Sequence, residues 1–394
     1  MANTLLTPTA VTREALRILH QNLNFVGSIT RDYDDSYAKS GAKIGDSLKI
    51  RLPNQYTVRT GATLSAQDTT EDSVTLQVNN QKGVDLNFTS VDLTLSLDDF
   101  SERILKPAMS VLAANIEYDA MSMYKDVYQS VWNGASANTL AKVASGRSML
   151  QRALAPSTDR TANLNVQDMA DIITAGQTLF NPNTEIAKQY KEGYVGRQGG
   201  FDYMENTMWP AHTRGAATTA YLVNNAAPAS GASTLIVDTG TGAINAGDVF
   251  TIANVFSVHP ETKVSTGILQ QFVVTAAASS GAGTWNISPT IYSTGAKQNV
   301  NALPADNAAI TFAGTLSTAV GTSVLYQKGA FAFATADLQM PKGVDFSARE
   351  VLDGISMRIV RQYDITNDKF PCRLDVLYGF KTLRAQLAAR LHNN

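Results

Sequence analysis

The sequence predicts an α+β protein built for assembly, and three observations carry that prediction. Between Asp46 and Asp99 the chain reads as one long β-hairpin with a polar tip. A proline-opened helix of about seven turns follows it. From 221 to about 316, short β-like runs rich in Gly, Ala, Ser and Thr interrupt a host of different texture.

In the hairpin, Leu48, Ile50 and Leu52 alternate with Ser47, Lys49 and Arg51, the period of a half-buried strand. Pro53 has no amide proton and stops the ladder. From Asn54 to Asp72 the residues turn polar, and the return strand carries Val74, Leu76 and Val78. A second strand carries Val84, Leu86 and Phe88, then Val91, Leu93, Leu95 and Leu97. The phase change between Phe88 and Val91 predicts a bulge near Thr89-Ser90. So little apolar surface near the tip cannot fold back onto a core. An arm of this kind is stable only when another subunit covers it.

Asp98 and Asp99 cap a short first turn through Ile104-Leu105, and Pro107 is at home in the first turn of a helix. Met109, Leu112, Ile116, Met123, Val127 and Val131 then recur at helical spacing. At ~1.5 Å per residue the helix spans roughly 37 Å.

Elsewhere, Thr12 to Asn22 is predicted as an amphipathic helix with Ala15, Leu16 and Leu19 on one face, after a loose arm from Met1 to Pro8. Ser145 to Asn165 reads as a connector low in apolar residues. Val166, Met169, Ile172 and Ile173 mark another helix, ending before Asn181-Pro182-Asn183. Thr234 to Val237, Asp248 to Ala253, Leu269 to Thr275, Thr284 to Ile287 and Ala309 to Phe312 read as five strands of a small barrel or sandwich. Two strands follow, around Ile355-Met357-Ile359 and Cys372-Leu374-Val376-Tyr378. Leu383, Leu387 and Leu391 give the tail a helical spacing.

Charged residues make up only 17% of 394, below the roughly one quarter usual for a solitary soluble protein. Such a surface suits burial against copies of itself. A formal net charge of −2 argues against a dedicated nucleic-acid binder, which needs clustered Lys and Arg. The single cysteine, Cys372, excludes an intrachain disulfide and fits a reducing compartment. Neither a signal peptide nor a membrane span is read in the sequence.

The chemistry-bearing residues are sparse. The four histidines, His20, His212, His259 and His392, have no metal-site spacing. His212 is expected to be a hydrogen-bonded structural residue and Cys372 a buried thiol. Asp364, Asp368 and Asp375 form the best carboxylate cluster, but Arg358, Arg361 and Arg373 beside them point to salt bridges. Gly193 to Gly200 lacks the Lys-Ser/Thr of a phosphate loop and reads as a tight turn. No catalytic residue, cofactor or metal is assigned, and an enzyme is not expected.

Four stretches carry a family resemblance. They are Gly196-Arg197 with Gly200-Phe201-Asp202 and Pro210-Ala211-His212-Thr213-Arg214-Gly215; Ala246-Gly247-Asp248-Val249-Phe250-Thr251-Ile252; Ser265-Thr266-Gly267 with Gln270 to Thr275, Asn299-Val300 and Ala302 to Ala305; and Arg361 to Ile365 with Arg373 to Gly379. In order along the chain, they resemble the coat proteins of short-tailed phages that carry an inserted β domain. The resemblance implies the HK97-type fold and a major capsid protein. It divides the chain into an N-terminal arm (1–40), an extended hairpin (41–97) and a peripheral domain with a spine helix (98–165). An axial domain with the remaining host strands (166–220 and 317–394) and an inserted β-barrel-like domain (221–316) complete it. It implies hexamers and pentamers of this chain in an icosahedral virion shell, assembled in the host cytoplasm. The implied partners are a scaffolding protein, a portal and a decoration protein, around double-stranded DNA enclosed without sequence-specific binding. No membrane is involved. The Lys–Asn cross-link of some capsids of this fold is not assigned to any pair here. The alternatives are a nanocompartment shell of the same fold, a cytosolic hydrolase or lyase using Asp364, Asp368, Asp375 and His212, and an adhesive β protein.

Overall fold

The computed structural model describes residues 8–31, 47–64, 66–68, 71–88, 101–132, 136–176, 195–218, 221–224, 228–352, 355–366 and 369–393. The chain divides into two units. One comprises Met1–Ile50, Ser73–Met121 and Phe331–Lys381; the other comprises Arg51–Asp72, Ser122–Ala330 and Thr382–Asn394.

The first unit is built on the strand Phe370–Thr382, whose thirteen residues are long enough to hold several partners. Ile355–Arg361 pairs with it antiparallel, Arg358 opposite Asp375, and Phe346–Leu352 pairs with Ile355–Arg361 in turn. Asn80–Phe88 also pairs along it, with Gly83 opposite Asp375. Helix α1 (Pro8–Asn22) buries Ala15, Leu16 and Leu19, the face expected from their spacing. It packs on Phe346–Leu352 and on the long helix described below. A five-residue helix α2 (Asn24–Ser28) follows, and buried Glu117 accepts hydrogen bonds from the Phe25 and Val26 amides at 3.0 Å each.

Two expectations change here. The short strands Ser47–Arg51 and Ser73–Gln77 form a two-stranded sheet, so the hairpin exists. Its expected continuation, however, belongs to another sheet: Asn80–Phe88 pairs with Phe370–Thr382 and does not run back along the arm. The apolar residues Val84 and Leu86 are half-buried there, opposite Leu374 and Cys372. Residues 89–100, including the expected bulge and the Asp98-Asp99 cap, lie outside the described residues.

The long helix is also shorter than expected. A π-helical turn (Ser101–Leu105) leads into α3 (Lys106–Met121), sixteen residues or about 24 Å. A 3₁₀ stretch, Ser122–Asp126, ends the run. Val127 is buried beyond the helix, and Val131 lies in a strand, Ser130–Trp132. Both kept the helical spacing because both are core residues, although the backbone had left the helix.

The second unit contains two sheets. One has seven strands, in the order Ser130–Trp132, Ala388–Asn393, Ala319–Gln327, Arg160–Leu164, Phe201–Glu205 and Arg197–Gln198, with His212–Thr213 pairing to the far part of Ala319–Gln327. Helix α4 (Leu140–Arg152) packs on it. Gly146 lets them meet, since a Cβ there would lie 2.5 Å from Leu325 Cδ1. Helix α5 (Val166–Gly176) is the one expected from Val166, Met169 and Ile172. The stretch read as a connector, Ser145 to Asn165, is instead most of α4 and the wholly buried strand Arg160–Leu164. The tail read as helical is instead a 3₁₀ turn, Ala385–Leu387, and the central strand Ala388–Asn393.

The other sheet holds six strands, in the order Ile310–Phe312, Val249–Val258, Ser265–Val274, Gly283–Ile291, Ala232–Asp238 and Leu222–Val223. All five expected runs form strands, with Leu222–Val223 in addition. Tyr221, Phe250, Phe272, Trp285 and Phe312 meet in its core, with Phe250 and Phe272 stacked at 5.7 Å. Each such aromatic contributes roughly 2–3 kcal/mol by burial.

Candidate assembly surfaces and polar clusters

The arm between the paired strands, residues 52–72, has no regular structure among its described residues. Pro53 ends the ladder on one side. Thr57 and Gln67 clasp across the arm: the Thr57 amide donates to Gln67 Oε1 at 2.9 Å, and Gln67 Nε2 donates to the Thr57 carbonyl at 2.6 Å. At the base, Leu52 N donates to the Asp72 carbonyl at 2.8 Å, and Lys297 Nζ meets the Asp72 carboxylate at 2.6 Å. Around the clasp the apolar side chains face solvent: Val58 is 94% exposed, Leu64 82% and Tyr56 57%.

The carboxylates singled out in the sequence do not converge. Asp375 is buried and held by Arg358 Nη2 at 2.7 Å and Arg373 Nε at 2.8 Å, the salt bridges expected from the neighbouring arginines. Gly83 makes room for them, since a Cβ there would lie 2.4 Å from Asp375 Oδ1. Asp364 sits in the turn after Ile355–Arg361, where its side chain accepts from the Thr366 amide at 3.0 Å. Six strand positions separate it from Asp375, about 20 Å. Asp368 lies outside the described residues, and His212 belongs to the other unit. A depression of ≈ 580 Å³ beside this cluster is lined by Asp85, Asn87, Arg358, Gln362, Cys372 and Arg373 among others. Its arginines are engaged by Asp375, and burial pushes the Cys372 thiol up to about 12, so it is protonated at neutral pH. Gly199 and Gly200, both at positive φ, turn Arg197–Gln198 into Phe201–Glu205, so the described part of the glycine-rich stretch is a tight turn.

A second polar cluster is buried in the other unit around His212, which is the hydrogen-bonded structural residue expected from the sequence, although its partners were not read there. His212 Nε2 lies 3.1 Å from Asp248 Oδ1, and Tyr124 Oη lies 3.2 Å from His212 Nδ1. A carboxylate only accepts, so Nε2 carries the proton that meets Asp248. The second Asp248 oxygen accepts from the amides of Gly215 and Asn245 at 3.0 and 2.9 Å. Arg390 is fully buried, donates to the Gly247 carbonyl at 2.9 Å and lies 5.8 Å from the Tyr124 ring. Burial pushes its pKa down to about 10 against the opposing pull of Tyr124, Asp248 and Asp126. The His392 ring sits 5.8 Å from that of His212. Tyr124, His212, Asp248, Arg390 and His392 are each buried and engaged with another protein group. The arrangement is a structural lock. The sequence signal for the partners of His212 is that Pro210 to Gly215 and Ala246 to Ile252 both fall in stretches carrying the resemblance. Among the described residues, no group of three or more His, Cys, Asp or Glu is placed to hold a metal, and no helix is long and apolar enough to cross a membrane.

Comparison with known proteins gives the class as that of bacteriophage coat proteins: the family model described as "P22 coat protein - gene protein 5" matches residues 19–389. The chain belongs to the P22 coat protein family, and its mixed helix-and-sheet architecture is the HK97-type α+β fold of phage capsids. That family is one of structural capsid proteins. Among solved structures the chain is similar to one from Mycobacterium phage Che8, at 12% identity and TM-score 0.49, covering 94% of this chain and 90% of that one. It is also similar to the mature capsid of bacteriophage PhiM1, at 11% identity and TM-score 0.44, covering 91% and 84%. The CUS-3 coat protein I-domain is 31% identical over 24% of this chain and 96% of that one, with TM-score 0.20. No curated protein sequence matches the chain.

Proposed function

We propose that this chain is the major capsid protein of a tailed bacteriophage, assembling through hexamers and pentamers into an icosahedral shell around double-stranded DNA. The observation that carries this reading is the arm at 52–72, which leaves Tyr56, Val58 and Leu64 in water on a chain of a phage coat family. A second copy of the chain is the surface that covers them. Heterologous contacts repeated about an axis close into rings, and one sequence makes both ring sizes by letting flexible segments absorb the difference. Each contact is weak; the shell gains from all of them at once. Filling with DNA drives a rigid-body rearrangement in which the arm and α3 shift. The weakly negative chain encloses DNA without reading its sequence. Residues 221–316 act as a domain inserted between the two parts, 166–220 and 317–394, of an axial domain with the remaining host strands. A scaffolding protein, a portal and a decoration protein are the further partners, and assembly takes place in the host cytoplasm.

Deleting Asn54 to Asp72 tests the reading. The expected product is a soluble, folded subunit that forms no shells by electron microscopy. Shells of normal size from the deleted chain would refute it. Double-stranded DNA inside shells recovered from infected cells is expected; shells filled with a protein cargo instead would identify a nanocompartment.

A further inference from the structure

Five buried polar atoms on one face of the seven-stranded sheet have no hydrogen-bond partner among the described residues. They are Ser130 Oγ, Thr322 Oγ1, Arg390 Nε and Nη2, and His392 Nδ1. All four residues are at most 3% exposed. Strand register gathers them. Arg390 stands opposite Ser130 and His392 opposite Trp132 on one side, and Thr322 stands opposite His392 on the other. Opposed residues share a face, as do residues two apart on a strand, so these side chains form one patch across three strands.

The patch has mixed demands. A guanidinium only donates. His392 is kept neutral by burial first, then by Arg390 and His212, and its other ring nitrogen bonds the Gly321 backbone. Its Nδ1 therefore only accepts. The two hydroxyls do both. Leaving a buried guanidinium N–H unmet is costly, so native proteins rarely do so.

We propose that this face holds a cluster of ordered water molecules that accept from Arg390 Nε and Nη2 and donate to His392 Nδ1, with the hydroxyls of Ser130 and Thr322 completing the chain. Water is the small species that meets both demands, with several partners for each molecule. A bare anion only accepts and leaves His392 Nδ1 without a donor. Nor does the charge of Arg390 call for one, since Asp248 and Asp126 already face it. The waters tie Ser130–Trp132, Ala388–Asn393 and Ala319–Gln327 together at a point where no direct side-chain bond joins them.

Thr322→Val tests this, because it replaces the hydroxyl by a methyl group of the same shape. A hydroxyl bonded to trapped water is lost at a cost, and the melting temperature of the full chain falls by about 2–4 °C. A hydroxyl without any partner is better replaced, so an unchanged or raised melting temperature would overturn the proposal. A density map of the full chain or its shell, at a resolution that shows ordered water, provides the second test. Peaks within hydrogen-bond reach of Arg390 Nη2 and His392 Nδ1 are expected. An Arg390 side chain bonded directly to His392 Nδ1, with no peak between them, would overturn it.

Discussion

Asp248 and His212 face each other at 3.1 Å in the interior of the second unit, and the carboxylate also gathers the amides of Gly215 and Asn245. One side chain thus pins the segment that leaves the seven-stranded sheet at His212–Thr213 to the start of the strand Val249–Val258 in the six-stranded sheet. Arg214 and Arg390 lie within its field.

Replacing Asp248 by Ala is expected to cost about 3–5 kcal/mol, because it leaves the donors of His212, Gly215 and Asn245 without their acceptor and removes the negative charge that faces Arg214 and Arg390. Asp248→Asn keeps the shape but loses the charge, and should cost less. Chemical denaturation of the full chain, following the transition with the broadest loss of structure, measures both. Equal stability of Asp248→Ala and the parent would show that the lock contributes nothing.

Gly83→Ala should destabilise the first unit by roughly 1–3 kcal/mol, the usual penalty for forcing atoms into a filled space. The new methyl group would meet Asp375 Oδ1 at 2.4 Å and the Leu374 carbonyl at 2.5 Å. Gly61→Ala, in the exposed arm at positive φ but with open space around it, should cost less, through backbone strain alone. The melting temperatures of the two variants should fall in that order.

Acid should weaken the second unit through His392. Burial, Arg390 and His212 all lower its affinity for a proton in the folded chain. The unfolded chain takes up that proton at the ordinary value near ~6.5. Stability is therefore complete above that pH and falls as the pH drops from there toward the depressed folded value. The melting temperature at about pH 5.5 should lie below that at about pH 7.5, and His392→Gln should narrow the gap. The same gap in both proteins would assign the effect to other groups.

The five strands of the six-stranded sheet were legible as short apolar runs set between glycines, and in Ala232–Asp238 the alternation is plain: Leu235 and Val237 are buried while Ile236 is 43% exposed. Ala388–Asn393 offered no such contrast. Ala388, Ala389, Arg390 and Leu391 are all fully buried, so alternation is absent and the leucine spacing suggested a helix. Arg160–Leu164 was hidden for a related reason. Its polar residues are buried because they are bonded: Arg160 donates to the Pro156 and Ala155 carbonyls at 2.6 Å, and Trp209 Nε1 donates to Asn163 Oδ1 at 2.7 Å. The salt bridges of Asp375 were readable from adjacent arginines. The His212–Asp248 lock was not, because 36 residues and a change of sheet separate its halves.

Cys372 should be inert in the native protein. Burial pushes its thiol up to about 12, whereas a free thiol ionises near ~8.5. At about pH 8 a maleimide should react with the folded chain at least ~100-fold more slowly than with the denatured one. The same shift removes stability as the pH rises above ~8.5, because only the unfolded chain then releases the proton. Rapid labelling of the native chain would contradict the burial of this strand.

The central claim is that the arm finds its missing surface on another copy of the chain, and labelling of Val58→Cys tests it most directly. Val58 is 94% exposed in the single chain, and the buried Cys372 serves as an internal control. The account predicts rapid maleimide labelling at position 58 in free subunits and labelling slower by at least ~10-fold in assembled shells. Equal rates in the two states would contradict it.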